Sequence, residues 1–301
     1  MTGVLTATQM LKEGLDLAGL SPKRQERLGQ AAKYRKFKSH FGAHPLHAAS
    51  VWRDLLTTPL ASAHITEDEA SIHGFLAALN FLKVYAPEDV RDDFMGERMH
   101  LNKLRAQTWK YVAKIAALKP LKILWPAEWK TTFIISVDGT HAHINEPRDP
   151  LVKRNRKWYS HKHNSAGLNY EIALSLFESK IVHAKTGDPA SKHDMTVFRM
   201  ELKNKIPRGK RVVADKVYDV DDERHIVSSH NQFDTDEVLE FKKNARSRHE
   251  TVNAKLKVFK CLDYRFRHGV IRAQQCFDSV LVLVQYAIED TGIHGEPLFD
   301  L

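Results

Sequence analysis

The stretch FIISVDGTH, from Phe133 to His141, decides how the chain is read. Its first five residues are apolar enough for a buried strand, and Gly139 is expected to let the chain turn sharply, which would present Asp138 at the strand's end. RVVADKVY (Arg211 to Tyr218) repeats the arrangement, with Val212, Val213 and Ala214 leading into Asp215. A third acid lies in ARSRHETVNAKLKVF (Ala245 to Phe259), where Val252, Leu256 and Phe259 at i, i+4 and i+7 form an apolar helical stripe. Glu250, Asn253 and Lys257 fall on a different face, so a packed helix would hold the Glu250 carboxylate away from its buried side.

One acid after one strand is readily a solvated turn residue. Three of them gathered by a fold are different, because carboxylates brought together without cations repel. Hard oxygen ligands suit Mg²⁺ or Mn²⁺, and two such ions about 3.5–4 Å apart activate a water or a 3′-hydroxyl and stabilise the departing oxygen at a phosphodiester. Asp138, Asp215 and Glu250 are therefore the candidate catalytic and metal-binding residues, with two Mg²⁺ or Mn²⁺ ions expected.

The surrounding motifs carry a resemblance. SVDGTHAHINEP (Ser136 to Pro147), KWYSHKHNSAGLNYEIALSLFESKIVHAKTG (Lys157 to Gly187), PASKHDMTVFR (Pro189 to Arg199), VVADKVY and ARSRHETVNAKLKVFKCLDYRFRHG (Ala245 to Gly269) occur in the order and spacing of the Harbinger-type DDE transposases, which the chain resembles from about residue 34 to 290. The resemblance implies a ribonuclease H-like core with Asp138, Asp215 and Glu250 as its metal-binding triad, and His193 and Asp194 as auxiliary residues near that site. It also implies a nuclear enzyme, made in the cytoplasm, that acts on the terminal inverted repeats of a transposon and on target DNA. A homo-oligomer on DNA and a separate Myb-like accessory protein complete the family's pattern. One position departs from it: Val217 stands where the family usually has glycine, and a β-branched residue there is strained if the backbone needs φ > 0. A catalytically impaired, transposase-derived DNA-binding protein is thus the alternative, and a nuclease acting outside transposition is a third reading.

The expected fold class is α/β: a ribonuclease H-like core with a mixed five-stranded sheet and flanking helices, preceded by an all-helical region. The expected division is residues 1–125, with a helix-turn-helix-like unit at about 71–118, and residues 126–301, the endonuclease domain with a C-terminal helix. Helical patterns run from Thr8 to about Lys119, broken at Gly42 to Pro45, Thr57 to Pro59, Pro87 and Gly96. NYEIALSL (Asn169 to Leu176) and KIVHAK (Lys180 to Lys185) read as a hairpin, and MTVFRMELKNKI (Met195 to Ile206) as a helix that Asp194 would cap. Residues 145–165 read as a polar basic loop.

A formal net charge of +9 over 301 residues marks a surface that attracts polyanions. Residues 21–38 hold seven Lys or Arg against one acid, 153–163 five against none, and 242–260 seven against one. Such runs are either solvated faces or phosphate contacts; the last two flank the proposed catalytic elements. The candidate DNA contacts are Lys103, Arg105, Gln107 and Lys110 on the expected recognition helix, Lys153, Arg154, Arg156 and Lys157 in the loop, and Arg246, Arg248 and Lys257 on the last basic helix. His141 and His143 read either as aids to positioning or as hydrogen-bonded surface residues, and Trp158 and Tyr159 as stacking platforms or as packing. With only Cys261 and Cys276, neither a disulfide framework nor a cysteine-built zinc site is expected. The amino terminus shows no secretory signal pattern, and the longest apolar stretch, Cys276 to Ile288, is too short to span a bilayer, so neither secretion nor a membrane partner is expected.

Overall fold

The computed structural model describes residues 3–119, 132–147, 156–215, 218, 226–227 and 234–293. The helices are α1 (Ala7–Leu17), α2 (Pro22–Arg27), α3 (Gln30–Phe41), α4 (Pro45–Thr57), α5 (Ile72–Val84), α6 (Glu88–Met95), α7 (Leu101–Leu118), α8 (Asp194–Met200), α9 (Asp236–Lys257), α10 (Lys260–Asp263) and α11 (Val270–Thr291). The strands are β1 (Phe133–His143), β2 (Tyr159–Ser160), β3 (Ser165–Ser175), β4 (Ile181–Pro189), β5 (Arg211–Ala214) and β6 (Ile226–Val227). The chain forms two compact units: residues 1–120 with 256–264 and 271–287, and residues 121–255 with 265–270 and 288–301.

The helical unit is organised around α5, which is buried from Gly74 to Leu82 on every side. Ser71 opens it by accepting the Gly74 N–H on its hydroxyl, as an N-cap should. The Phe75 ring of α5 meets Trp52 of α4 at a tilt and Tyr111 of α7 edge-on, and all three are fully buried. Gly42 ends α3 at φ 76°, and the Phe259 ring lies 2.4 Å from where a Cβ would stand, so this position excludes any other residue twice over. The last helix departs from the expected division, because residues 271–287 of α11 group with this unit. The contacts explain why: Ser279 Oγ donates to the Val112 carbonyl at 2.6 Å, and the Tyr286 hydroxyl donates to Asp54 Oδ2 at 2.5 Å.

In the second unit the sheet order is β2-β3-β1-β5-β6, with β4 also paired to β3. The pairs β1–β3, β3–β4 and β2–β3 are antiparallel, while β1–β5 and β5–β6 are parallel. Among the described residues six strands stand where five were expected, since Tyr159–Ser160, inside the expected loop, pairs with the start of β3. Both sheet faces are covered. Ile135, Val137, Ala173 and Val212 pack with Met195 and Phe198 of α8, and Val213 packs with Ala245 of α9. Burial on both faces explains why β1 reads as an apolar run rather than an alternation.

Arg248, expected to touch DNA, is completely buried. Its Nη2 donates to the carbonyls of Ser175 (3.0 Å) and Glu178 (2.7 Å), tying α9 to the turn after β3. That is a correction: this cation serves the backbone, and charge counting could not distinguish it from its exposed neighbours. We expect Arg248→Ala to lower the unfolding free energy by about 3 kcal/mol in a denaturant titration, because two buried carbonyls lose a charged donor; a change below about 1 kcal/mol would contradict this role.

Candidate active site

The parallel register of β1 and β5 assembles the centre of the site. Its last pair is Val137 with Ala214, so Asp138 and Asp215 come next, side by side, where β5 leaves the sheet. Asp215 follows its strand as expected. Asp138 does not end one, because β1 remains paired with β3 as far as His143. Gly139 is correspondingly no turn residue. It leaves room for a close neighbour: a Cβ there would lie 3.0 Å from Asp194 Oδ1, and that carboxylate would have to give way.

Asp138 is half-buried. Its Oδ1 accepts the Gly139 N–H at 2.8 Å and its Oδ2 accepts Asn253 Nδ2 of α9 at 3.1 Å. Burial raises its pKa above the ordinary carboxylate value; the two hydrogen bonds oppose the rise, and the charges of Asp194 and Asp215 add to it. Asp194 is raised as well, first by burial and also by Asp215, while Lys162, His193 and His163 pull it down. Asp194 is the first residue of α8, and His193, not Asp194, occupies the N-cap. The expected capping role is therefore corrected: the Asp194 carboxylate faces the acids and fills the room left by Gly139.

The third wall is α9. Glu250 is exposed, lies 3.4 Å from Arg246 Nε, and shares with Asp138 and Asp215 a pocket of about 200 Å³. Lys242, bonded to Asp234 at 2.6 Å, and the buried His249 also line it. Burial pushes the His249 imidazole down to about 4, although its bond to the Ser136 backbone opposes that. The three acids found from the sequence thus face one cavity. Asn253, which reaches Asp138 directly, was visible only as a face-mate of Glu250, three residues on.

The other expected residues divide. His141 Nδ1 bonds Asn169 Oδ1 at 3.0 Å, its ring stacks on His163 at 4.2 Å, and burial lowers its pKa to about 4; His143 Nδ1 bonds Ser165 Oγ at 2.7 Å. Lys157 lies over the Trp158 ring at 4.9 Å, and Arg156 and Tyr159 are exposed. On α7, Arg105 is clamped by the Glu88 carboxylate, Lys110 pairs with Glu69, and Gln107 packs against Gly74, so these three expected base or phosphate readers are turned to partners within the chain. Lys103 and Lys257 are exposed. Lys153, Arg154 and Val217 lie outside the described residues.

Residues 137–285 match the model of the family described as DDE superfamily endonuclease. The matched stretch contains Asp138, Asp194, Asp215 and Glu250, and it supports a DDE transposase-type family with nuclease-like function. No curated protein and no solved structure matches the chain. DDE endonucleases generally use divalent metals. Among the described residues no three His, Cys, Asp or Glu side chains are already arranged to hold one. The donor chemistry nevertheless suits such ions: Asp138 and Asp194 are each pushed toward protonation by burial first and by neighbouring acid charge last, and a hard cation favours the ionised form of both.

A buried acid that the sequence reading missed lies across the sheet from this centre. Glu171 pairs with Gly139 on one side and Lys185 on the other, and neither carboxylate oxygen has a hydrogen-bond partner among the described residues. Burial raises Glu171 to about 8 and lowers His183, 3.9 Å away, to about 4. The two are in range for an ion pair, yet both shifts favour the uncharged forms, so the pair is neutral at pH 7. Tyr218 is also buried beside these acids, its phenol raised well above normal by burial and then by Glu171, Asp194, Asp138 and Asp215. A carboxyl whose folded pKa is raised holds its full stability below the unfolded value and loses it as pH rises. We therefore expect the stability of Glu171→Gln relative to wild type, followed by denaturant titration, to be flat below about pH 4.5 and to grow up to about pH 8; a difference independent of pH would contradict the assignment.

Proposed function

We propose that the chain is a Harbinger-type DDE transposase with a ribonuclease H-like core that cuts DNA at transposon ends and joins the freed ends to a target. The observation that carries this is the single pocket reached by Asp138 and Asp215 from neighbouring strands and by Glu250 from α9. The strand order, three antiparallel strands followed by two parallel ones, supports the core assignment.

Asp138, Asp215 and Glu250 would hold Mg²⁺ or Mn²⁺, with Asp194 beside them. When bound, two such ions activate a water or 3′-hydroxyl and stabilise the leaving oxygen at a phosphodiester. The chain's own residues position. The Gly139 N–H and Asn253 orient Asp138. Arg246, exposed next to Glu250, offers a guanidinium to a phosphate entering the pocket. Arg156, Lys157 and Lys257 supply exposed positive charge for DNA. Nuclear action, assembly as an oligomer on DNA and help from a Myb-like protein belong to the same reading.

A second reading is a transposase-derived DNA-binding protein without catalysis. It is favoured by the engagement of Glu250 with Arg246 and by the lack of a preformed chelating cluster among the described residues. Nicking of a supercoiled plasmid in Mg²⁺ separates the two. On the catalytic reading wild type nicks, and Asp138→Asn and Glu250→Gln each lose on the order of 10³-fold or more of that rate while binding DNA as before. Cleavage retained by Asp138→Asn would reject the site, and a wild type that binds DNA but never nicks it would establish the second reading.

A further inference from the structure

The basic run at residues 21–38 lies on α2 and α3, and there the structure builds a groove. α1 ends at Gly19 with φ 76°, where the Leu20 N–H returns to the Leu15 carbonyl. α2 is pinned to this end by Gln25, whose Nε2 donates to Asp16 Oδ1 at 2.6 Å and to the Leu20 carbonyl at 2.8 Å. α3 is fixed from beneath by Phe37 and Phe41, both fully buried. Gly14 admits the Phe37 ring, which lies 2.3 Å from where a Cβ would be. Between these elements is an opening of about 480 Å³, floored by Ala18, Leu20, Leu28 and Ala32 and rimmed by Arg24, Arg27 and Lys36.

Among the described residues no acid lines this groove. Lys23, Lys33, Arg35 and Lys38 continue its charge along the two helices, and all seven cations except the half-buried Lys33 are exposed. Among the described residues none of the seven is in an ion pair, unlike Arg105 and Lys110 of α7. Two of these cations are also felt by groups outside the run. Lys38 and Lys260 add to the burial that lowers Lys83, and Lys36 adds to the burial that lowers His40. Exposed positive charge without an acidic partner in the chain attracts a polyanion. The pairs Arg24–Arg27, Lys33–Lys36 and Arg35–Lys38, each three residues apart on a helix, present charge in rows suited to successive phosphates.

We infer that the α2–α3 groove is the duplex-DNA contact of the helical unit, seating the phosphate backbone on Arg24, Arg27 and Lys36. This rests on the reading of DNA as substrate and moves the contact away from α7, where the sequence had placed it. Contacts to phosphate orient a duplex without reading its bases, so the groove supplies affinity and register rather than sequence choice.

The test is binding of a fluorescent duplex of arbitrary sequence, without divalent metal, across a series of salt concentrations. Relative to wild type, the triple variant Arg24→Ala, Arg27→Ala, Lys36→Ala should bind on the order of tenfold or more weakly, with the slope of log K against log salt reduced by about 2–3. The charge-preserving variant Arg24→Lys, Arg27→Lys, Lys36→Arg should keep the wild-type slope, which excludes misfolding as the cause. Unchanged affinity and slope in the alanine variant would overturn the inference. So would a wild type that ignores duplex DNA, or one that holds a polyglutamate peptide more tightly than the duplex. The two readings fail separately: nicking in Mg²⁺ that survives in Asp138→Asn sinks the catalytic assignment alone. Normal binding by the alanine variant sinks the groove alone.

Discussion

The parallel pairing of β1 with β5 is the constraint from which the site follows. Parallel neighbours need a long connection, and here β3, β4 and α8 intervene in the chain. What returns β5 to β1 is apolar burial: Ile134, Ile135, Val137, Val212 and Ala214 are at most 6% exposed. Each large aliphatic side chain so buried contributes about 1.5–3 kcal/mol. The charge of Asp215 is the last of the influences that raise Asp138, behind burial itself, so their mutual repulsion is small beside the burial of the strands. The scaffold outweighs the repulsion, so Asp138 and Asp215 can be held together by a core that contains neither.

The acids are nevertheless held by weak partners. Asp138 takes one neutral amide from Asn253 and one backbone N–H, and Glu250 takes a single exposed guanidinium contact of a kind worth about 0–1 kcal/mol. None of these bonds matches what a divalent ion offers a carboxylate. The pocket therefore resembles a set of donors on temporary partners, and this supports the metal reading without a preformed cluster. Glu171 differs, because it sits behind the sheet without a hydrogen-bond partner among the described residues and with its proton retained. Its neutral form lets an acid pack beside Gly139 and Asp194 without adding a further charge to the centre.

Much of this was legible from residues. Apolar runs ending at Asp138 and Asp215 gave two strands, and the Val252–Leu256–Phe259 stripe gave the helix carrying Glu250, because burial on fixed faces leaves a period. The role of Gly139 was misread, since a glycine after a strand signals a turn far more often than a close approach by a distant carboxylate, and no local pattern encodes Asp194 arriving there. Asn253, Glu171 and Tyr218 were missed for the same reason: each acts through a partner far away in the chain. Placing α11 with the endonuclease part followed chain order, whereas Ser279 and Tyr286 bond to α7 and to Asp54.

Positive charge shows most clearly why composition alone misleads. Residues 21–38 and 242–260 hold seven cations each. In the second run Lys242 is bonded to Asp234, Arg248 to two carbonyls and Lys260 to Asp263, so much of that charge is spent within the chain. In the first run none of the seven is so engaged among the described residues. A Lys or Arg contributes to an external field only to the extent that no carboxylate or carbonyl already compensates it. Equal counts therefore describe two different surfaces, one that builds the walls of the acidic pocket and one that projects its field outward.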